Sequence, residues 1–121
     1  MVEREFDMSD VLAEITVKEL AAKMAAGVEG LQLVDVREVG ELEIASIEGF
    51  VNLPLSEYES WQSDIHTRLD LETETLVLCH HGMRSAQMGH WLMSQGFTNV
   101  KNISGGIDAY AIQVDHSIAQ Y

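Results

Sequence analysis

Apolar positions along this chain fall in short blocks whose period switches between strand and helix. The β-branched "ITV" at Ile15 to Val17 predicts a strand. The residues after it place Leu20, Ala21 and Met24 on one helical face before Gly27 ends the pattern. "LQLVDV", Leu31 to Val36, is a nearly continuous apolar run bounded by Gly30 and by charge, as expected for a strand buried on both faces. A helical turn over "REVGELEIA" leads to "FVNLPL", a short strand that Pro54 must end because proline cannot donate to a ladder. "SEYESWQSDIHTRL" predicts a helix with Ser56 as N-cap and Tyr58, Trp61, Ile65 and Leu69 at helical spacing. "TLVLC" is another buried-type strand. The helix after it begins near Ser85, carries Met88, Trp91 and Leu92 on one side and stops at Gly96. "VKNISGG" supplies a last strand and turn, and "IDAYAIQV" a final helix.

Five strands alternating with helices over one core predict an α/β domain. Its sheet is mostly parallel with helices on both faces, and its ligand site lies at the carboxyl ends of the strands. No repeat or Gly/Ser/Pro linker divides the 121 residues, so a single domain over 1–121 is expected, with its core at 15–112 and residues 1–10 and 113–121 peripheral.

Charge narrows the partners. Twenty acidic residues against seven basic ones give a net charge of −13, a surface that repels nucleic acid and anionic lipid. No apolar run approaches the ~18 residues of a membrane span. The opening "MVEREFDMSD" has no basic-then-apolar signal pattern, which leads to the expectation of a cytoplasmic protein. Any anion site must therefore be a local exception built from backbone N–H groups and an arginine.

The only cysteine, Cys79, stands where such an exception would form. It follows the apolar strand and opens the six-residue loop Cys79-His80-His81-Gly82-Met83-Arg84 that leads to a helix. Alone it reads as core filling. A loop this short can curl around its own thiol if its N–H groups point inward, and Gly82 permits the positive φ such a turn needs. The helix N-terminus and Arg84 add positive charge, so a thiolate, or a persulfide formed on it, would be stabilised. His80 and His81 are expected to line the mouth, where partial protonation offsets the acidic surface, and Met83 to sit on the rim. Adjacent histidines on a tight loop rarely converge on one ion, so no metal is expected. Arg37 either helps to hold an anionic substrate or pairs with Asp35 or Glu41 to fix the turn after its strand; the structural role is preferred.

Four motifs in order give these features a family. "LVDVRE" at Leu33 to Glu38 with Glu41 in the following turn, "IEGFVNLPL" at Ile47 to Leu55, "CHHGMRS", and "ISGGIDAY" at Ile103 to Tyr110 resemble the single-domain rhodaneses, sulfurtransferases that carry sulfur as a cysteine persulfide. The chain departs from that pattern at Ala45, Ser46 and Phe50, and at Ile107 and Tyr110, where the family favours tryptophan. The resemblance implies Cys79 as nucleophile and His80, His81, Gly82, Met83, Arg84 and Ser85 as the substrate cradle, with Asp35 and Arg37 in support. It also implies a small anionic donor (thiosulfate or a persulfide), a thiol, protein or cyanide acceptor, no cofactor, and a monomer. Phosphatase and arsenate-reductase relatives place the arginine one residue later, at the position Ser85 occupies here, so that chemistry is disfavoured. The remaining rival is a rhodanese-like module that binds or senses sulfur without turnover.

Overall fold

The computed structural model describes residues 11–121; the expectations placed on residues 1–10 lie outside the described residues. Five strands, β1 (Ala13–Ile15), β2 (Leu31–Asp35), β3 (Val51–Asn52), β4 (Glu74–Leu78) and β5 (Val100–Ile103), form one sheet in the order β1-β5-β4-β2-β3. Every pairing is parallel, as helical crossovers require. Among the described residues the helices are α1 (Val17–Ala26), α2 (Val39–Ile44), α3 (Tyr58–Trp61), α4 (Ile65–Arg68), α5 (Met83–Ser94) and α6 (Gly106–Gln113).

Side-chain alternation along the central strand divides the core in two. Val77 and Cys79 join Val34, Val36, Trp61, Ile65, Met88 and Leu92 on the face covered by α3, α4 and α5. Leu76 and Leu78 join Leu20, Leu33, Ile103 and Ile107 on the face covered by α1 and α6. Leu76, Val77 and Leu78 are fully buried, each worth about 1.5–3 kcal/mol of transfer free energy. That two-sided burial is why the strand reads as unbroken apolar sequence.

Three expected boundaries shift. The strand predicted at Ile15 to Val17 ends at Ile15, because Thr16 caps α1: its hydroxyl accepts from the Glu19 N–H (3.1 Å) while the Glu19 carboxylate accepts from the Thr16 N–H (2.9 Å). The helix predicted from Ser56 to Leu69 is broken by tight 3₁₀ turns at 55–57 and 62–64, leaving α3 and α4 as single turns. Ser56 caps nothing; its hydroxyl donates to the Glu38 carboxylate. The apolar positions still face inward: Trp61, Ile65 and Leu69 are buried, with the Trp61 indole N–H donating to the Pro54 carbonyl at 2.9 Å. The third helix starts at Met83 rather than near Ser85, since Gly82 takes the left-handed conformation (φ +104°) that ends the loop and begins α5.

Register brings the chemistry together. β2 and β4 pair from Leu31–Glu74 to Asp35–Leu78, and β4 pairs with β5 up to Val77–Asn102. Asp35, Cys79 and Asn102 therefore emerge side by side at the carboxyl edge of the sheet.

Candidate active site

Cys79 is 1% exposed at the mouth of its loop. The Gly82 N–H donates to its Sγ at 3.0 Å, and the Ser85 hydroxyl lies 3.2 Å from the same sulfur. Ser85, fully buried on the first turn of α5, also donates to Asn102 Oδ1. Asn102 is oriented in turn by its Nδ2, which donates to the Gly82 carbonyl at 3.0 Å. A hydroxyl has one proton for these two acceptors. With a thiol, the S–H points to Ser85 and the hydroxyl to Asn102; with a thiolate, the hydroxyl turns to the sulfur. Ser85 thus serves both protonation states without moving a heavy atom.

The loop is anchored from below by α6. The Ile107 and Asp108 N–H groups donate to the Cys79 and His80 carbonyls at 2.9 and 3.1 Å. This docking requires the double glycine. Gly106 has φ +61°, and a Cβ there would lie 2.4–2.5 Å from the backbone of Cys79 and His80. The "ISGG" motif is therefore a close-approach device between α6 and the cysteine loop.

Charge at the rim is organised in pairs. Arg84 grips the Glu41 carboxylate with both terminal nitrogens (2.7 and 2.9 Å). That grip pulls the Glu41 carboxyl down to about 2, and Glu41 raises the Arg84 guanidinium further above its already high value. Behind it, Arg37 is completely buried and binds Asp35 through Nε (3.1 Å) and Nη2 (2.8 Å). Asp35 is thus the partner that the structural reading of Arg37 calls for; the side chain meets Glu41 only at its carbonyl oxygen, 3.4 Å from Nη1. Burial opposes the charge on Arg37, and the bonds to Asp35 and Tyr121 outweigh it.

Of the two histidines, His80 differs from expectation. Burial, with His81 beside it, lowers the His80 imidazole below the ordinary histidine value, so His80 is neutral near pH 7 and does not offset the acidic surface there. His81 is mostly exposed, 3.9 Å from the Asp108 carboxylate. His80, His81 and Asp108 bring potential ligand atoms within 4.8 Å of one another. The two imidazoles overlap at 3.8 Å with a 31° tilt. Met83, 80% exposed, stands on the rim as expected.

Two site residues escaped the sequence reading. Asn102 had a weak signal, an amide beside Lys101 in the short strand that leads to the glycine pair. Tyr121 had none, falling in the segment expected to be peripheral, yet its hydroxyl donates to Glu41 (2.8 Å) and accepts from Arg37 (3.0 Å).

The chain that carries this arrangement has relatives. The family model of the Rhodanese-like domain matches residues 16–113, and the chain belongs to that family. It is 49% identical over 110 residues to the Rhodanese-like/PpiC domain-containing protein 12, chloroplastic, of Arabidopsis thaliana, covering 89% of this chain and 37% of that protein. It is 32% identical over 87 residues to the thiosulfate sulfurtransferase GlpE of Pseudomonas entomophila, covering 72% of this chain and 76% of the relative. Among solved structures, the human single-domain sulfurtransferase TSTD1 superposes with a TM-score of 0.70 at 26% identity, over 85% of this chain and 98% of that one. The resemblance drawn from the four motifs is borne out, and so is the five-stranded α/β fold.

Proposed function

We propose that the chain is a sulfurtransferase that moves sulfane sulfur through a persulfide on Cys79. The observation that carries this reading is the pair of donors, the Gly82 N–H and the Ser85 hydroxyl, converging on a buried thiol. The Cys79 thiolate attacks the outer sulfur of the donor. With thiosulfate, the Sγ–S bond forms as the donor's S–S bond breaks, and sulfite leaves with the electron pair. The resulting persulfide is again an anion, with its charge on the outer sulfur one bond beyond the Sγ that Gly82 and Ser85 contact. An acceptor thiolate or cyanide then attacks the terminal sulfur, the new bond forms, and Cys79 departs as thiolate. Each half-reaction is a covalent step of a ping-pong cycle.

The test is the intact mass of the protein after incubation with thiosulfate or a small persulfide. A gain of about 32 Da, one sulfur atom, that cyanide or dithiothreitol removes is the expected result. No adduct with either donor overturns the reading and leaves a module without turnover.

Arg84 adds a prediction whose sign depends on its partner. In Arg84→Ala the Glu41 carboxylate is left uncompensated at the mouth of a protein already at −13, so a dianionic donor loses an attraction and meets a repulsion. The catalytic efficiency with thiosulfate is expected to fall about 10- to 150-fold, the worth of a charge-assisted contact. Efficiency with an uncharged sulfane-sulfur donor, such as an organic trisulfide, changes far less, and adding Glu41→Gln to Arg84→Ala recovers part of the loss. Steady-state kinetics at low and high salt measure all three. Unchanged thiosulfate kinetics in Arg84→Ala would make Arg84 purely structural.

A further inference from the structure

Residues 114–121 leave α6 as a built segment. Val114 and Ile118 pack on the core face shared with Ile47 and Ile107. The Asp115 carboxylate accepts from the backbone N–H of Ser117 (3.0 Å), and the Ile118 N–H donates to the Asp115 carbonyl (3.2 Å), so a tight turn redirects the chain. The segment delivers Tyr121 to the cysteine loop, where its ring stacks on His80 at 3.8 Å, within 4° of parallel. His80 is the residue directly after the nucleophile. Its Nε2 is buried and has no hydrogen-bond partner among the described residues, and its ring makes flat contacts with both Tyr121 and His81. The Tyr121 hydroxyl meanwhile joins the two charge pairs, accepting from Arg37 and donating to the carboxylate that Arg84 grips.

We propose that Tyr121 is a positioning and specificity-determining residue of the Cys79 site. Its ring walls the His80 side of the mouth and limits the size of what reaches the sulfur, while its hydroxyl holds Glu41 in register with Arg84. The wall stands on geometry alone; its effect on donor choice rests on the sulfur-transfer reading. The ring and the hydroxyl separate by substitution, because Tyr121→Phe keeps the stack and loses the bridge, whereas Tyr121→Ala loses both.

The experiment compares alkylation of Cys79 in the full chain by a small reagent, iodoacetamide, and a bulky one, N-phenylmaleimide, alongside thiosulfate kinetics. If the bulky reagent enters only when the wall swings aside, a minor state of about 0.1–10%, then Tyr121→Ala raises the ratio of bulky to small rates about 10-fold or more. Tyr121→Phe leaves that ratio within about 2-fold and raises the KM for thiosulfate about 3- to 10-fold with kcat little changed, the scale of one lost hydrogen bond. An unchanged alkylation ratio in Tyr121→Ala overturns the wall, and an unchanged KM in Tyr121→Phe overturns the bridge. The alkylation arm reads no sulfur transfer, so its outcome is independent of whether any donor turns over.

Discussion

Cys79→Ser is expected to lower sulfur transfer by at least about 10⁴-fold while the protein stays folded. The two halves of that expectation have different physical sources. Loss of rate follows from chemistry: a serine hydroxyl is a far weaker nucleophile than a thiolate near pH 7, and no base within hydrogen-bond reach of the position is available to activate it among the described residues. The Ser85 hydroxyl is the side-chain neighbour of the sulfur, and it is itself no base. Retention of the fold follows from satisfied polar groups. The new hydroxyl can accept from the Gly82 N–H and donate to Ser85, so no buried polar atom is orphaned, and the change in stability should stay within about 1 kcal/mol. The measurements are thiocyanate release with cyanide as acceptor, intact mass after donor treatment, and urea unfolding. Turnover above a trace in Cys79→Ser would remove Cys79 from its role.

The parts of this molecule that were legible in sequence are those where one interaction dominates. β2 and β4 are continuous apolar runs because both faces are covered, and their positions came out to within a residue. Cys79 was placed by the same logic, as the first residue past a buried strand, and Gly82 by its need for positive φ. Legibility fell where two local preferences compete. Residues 56–69 carry a helical apolar period, but the bond of the Trp61 indole to the Pro54 carbonyl and the pull of Glu38 on Ser56 hold the chain in short turns. Thr16 is β-branched and so reads as strand, yet its hydroxyl serves better as a cap. Contacts between distant segments left no local trace. Arg84 was expected to present a free charge to the donor, and the structure pairs it with Glu41, forty-three positions earlier in the chain. Tyr121 lies in a segment expected to be peripheral, and only the fold brings it to His80.

The second large effect is expected at Arg37, where structural and substrate-binding roles make opposite predictions. Its guanidinium is fully buried and Asp35 is 1% exposed, so the pair has left water entirely. Nε and Nη2 satisfy the carboxylate, the Arg37 backbone N–H adds a bond at 3.0 Å, and Asn52 ties the Asp35 and Arg37 carbonyls together at 2.9 Å each. Arg37→Met keeps the length of the side chain but strands a buried carboxylate, at a cost of about 3–5 kcal/mol. For a domain whose whole stability is about 5–15 kcal/mol, that is a large share. Replacing both partners, Asp35→Leu with Arg37→Met, removes the orphan and is expected to cost less than Arg37→Met alone, since an apolar pair of similar volume often substitutes for a buried ion pair. Urea unfolding measures each variant, and sulfur transfer per folded molecule is followed in parallel. If Arg37 instead gripped the donor, Arg37→Met would keep most of its stability and lose thiosulfate efficiency; a stable, donor-blind Arg37→Met would overturn the structural role.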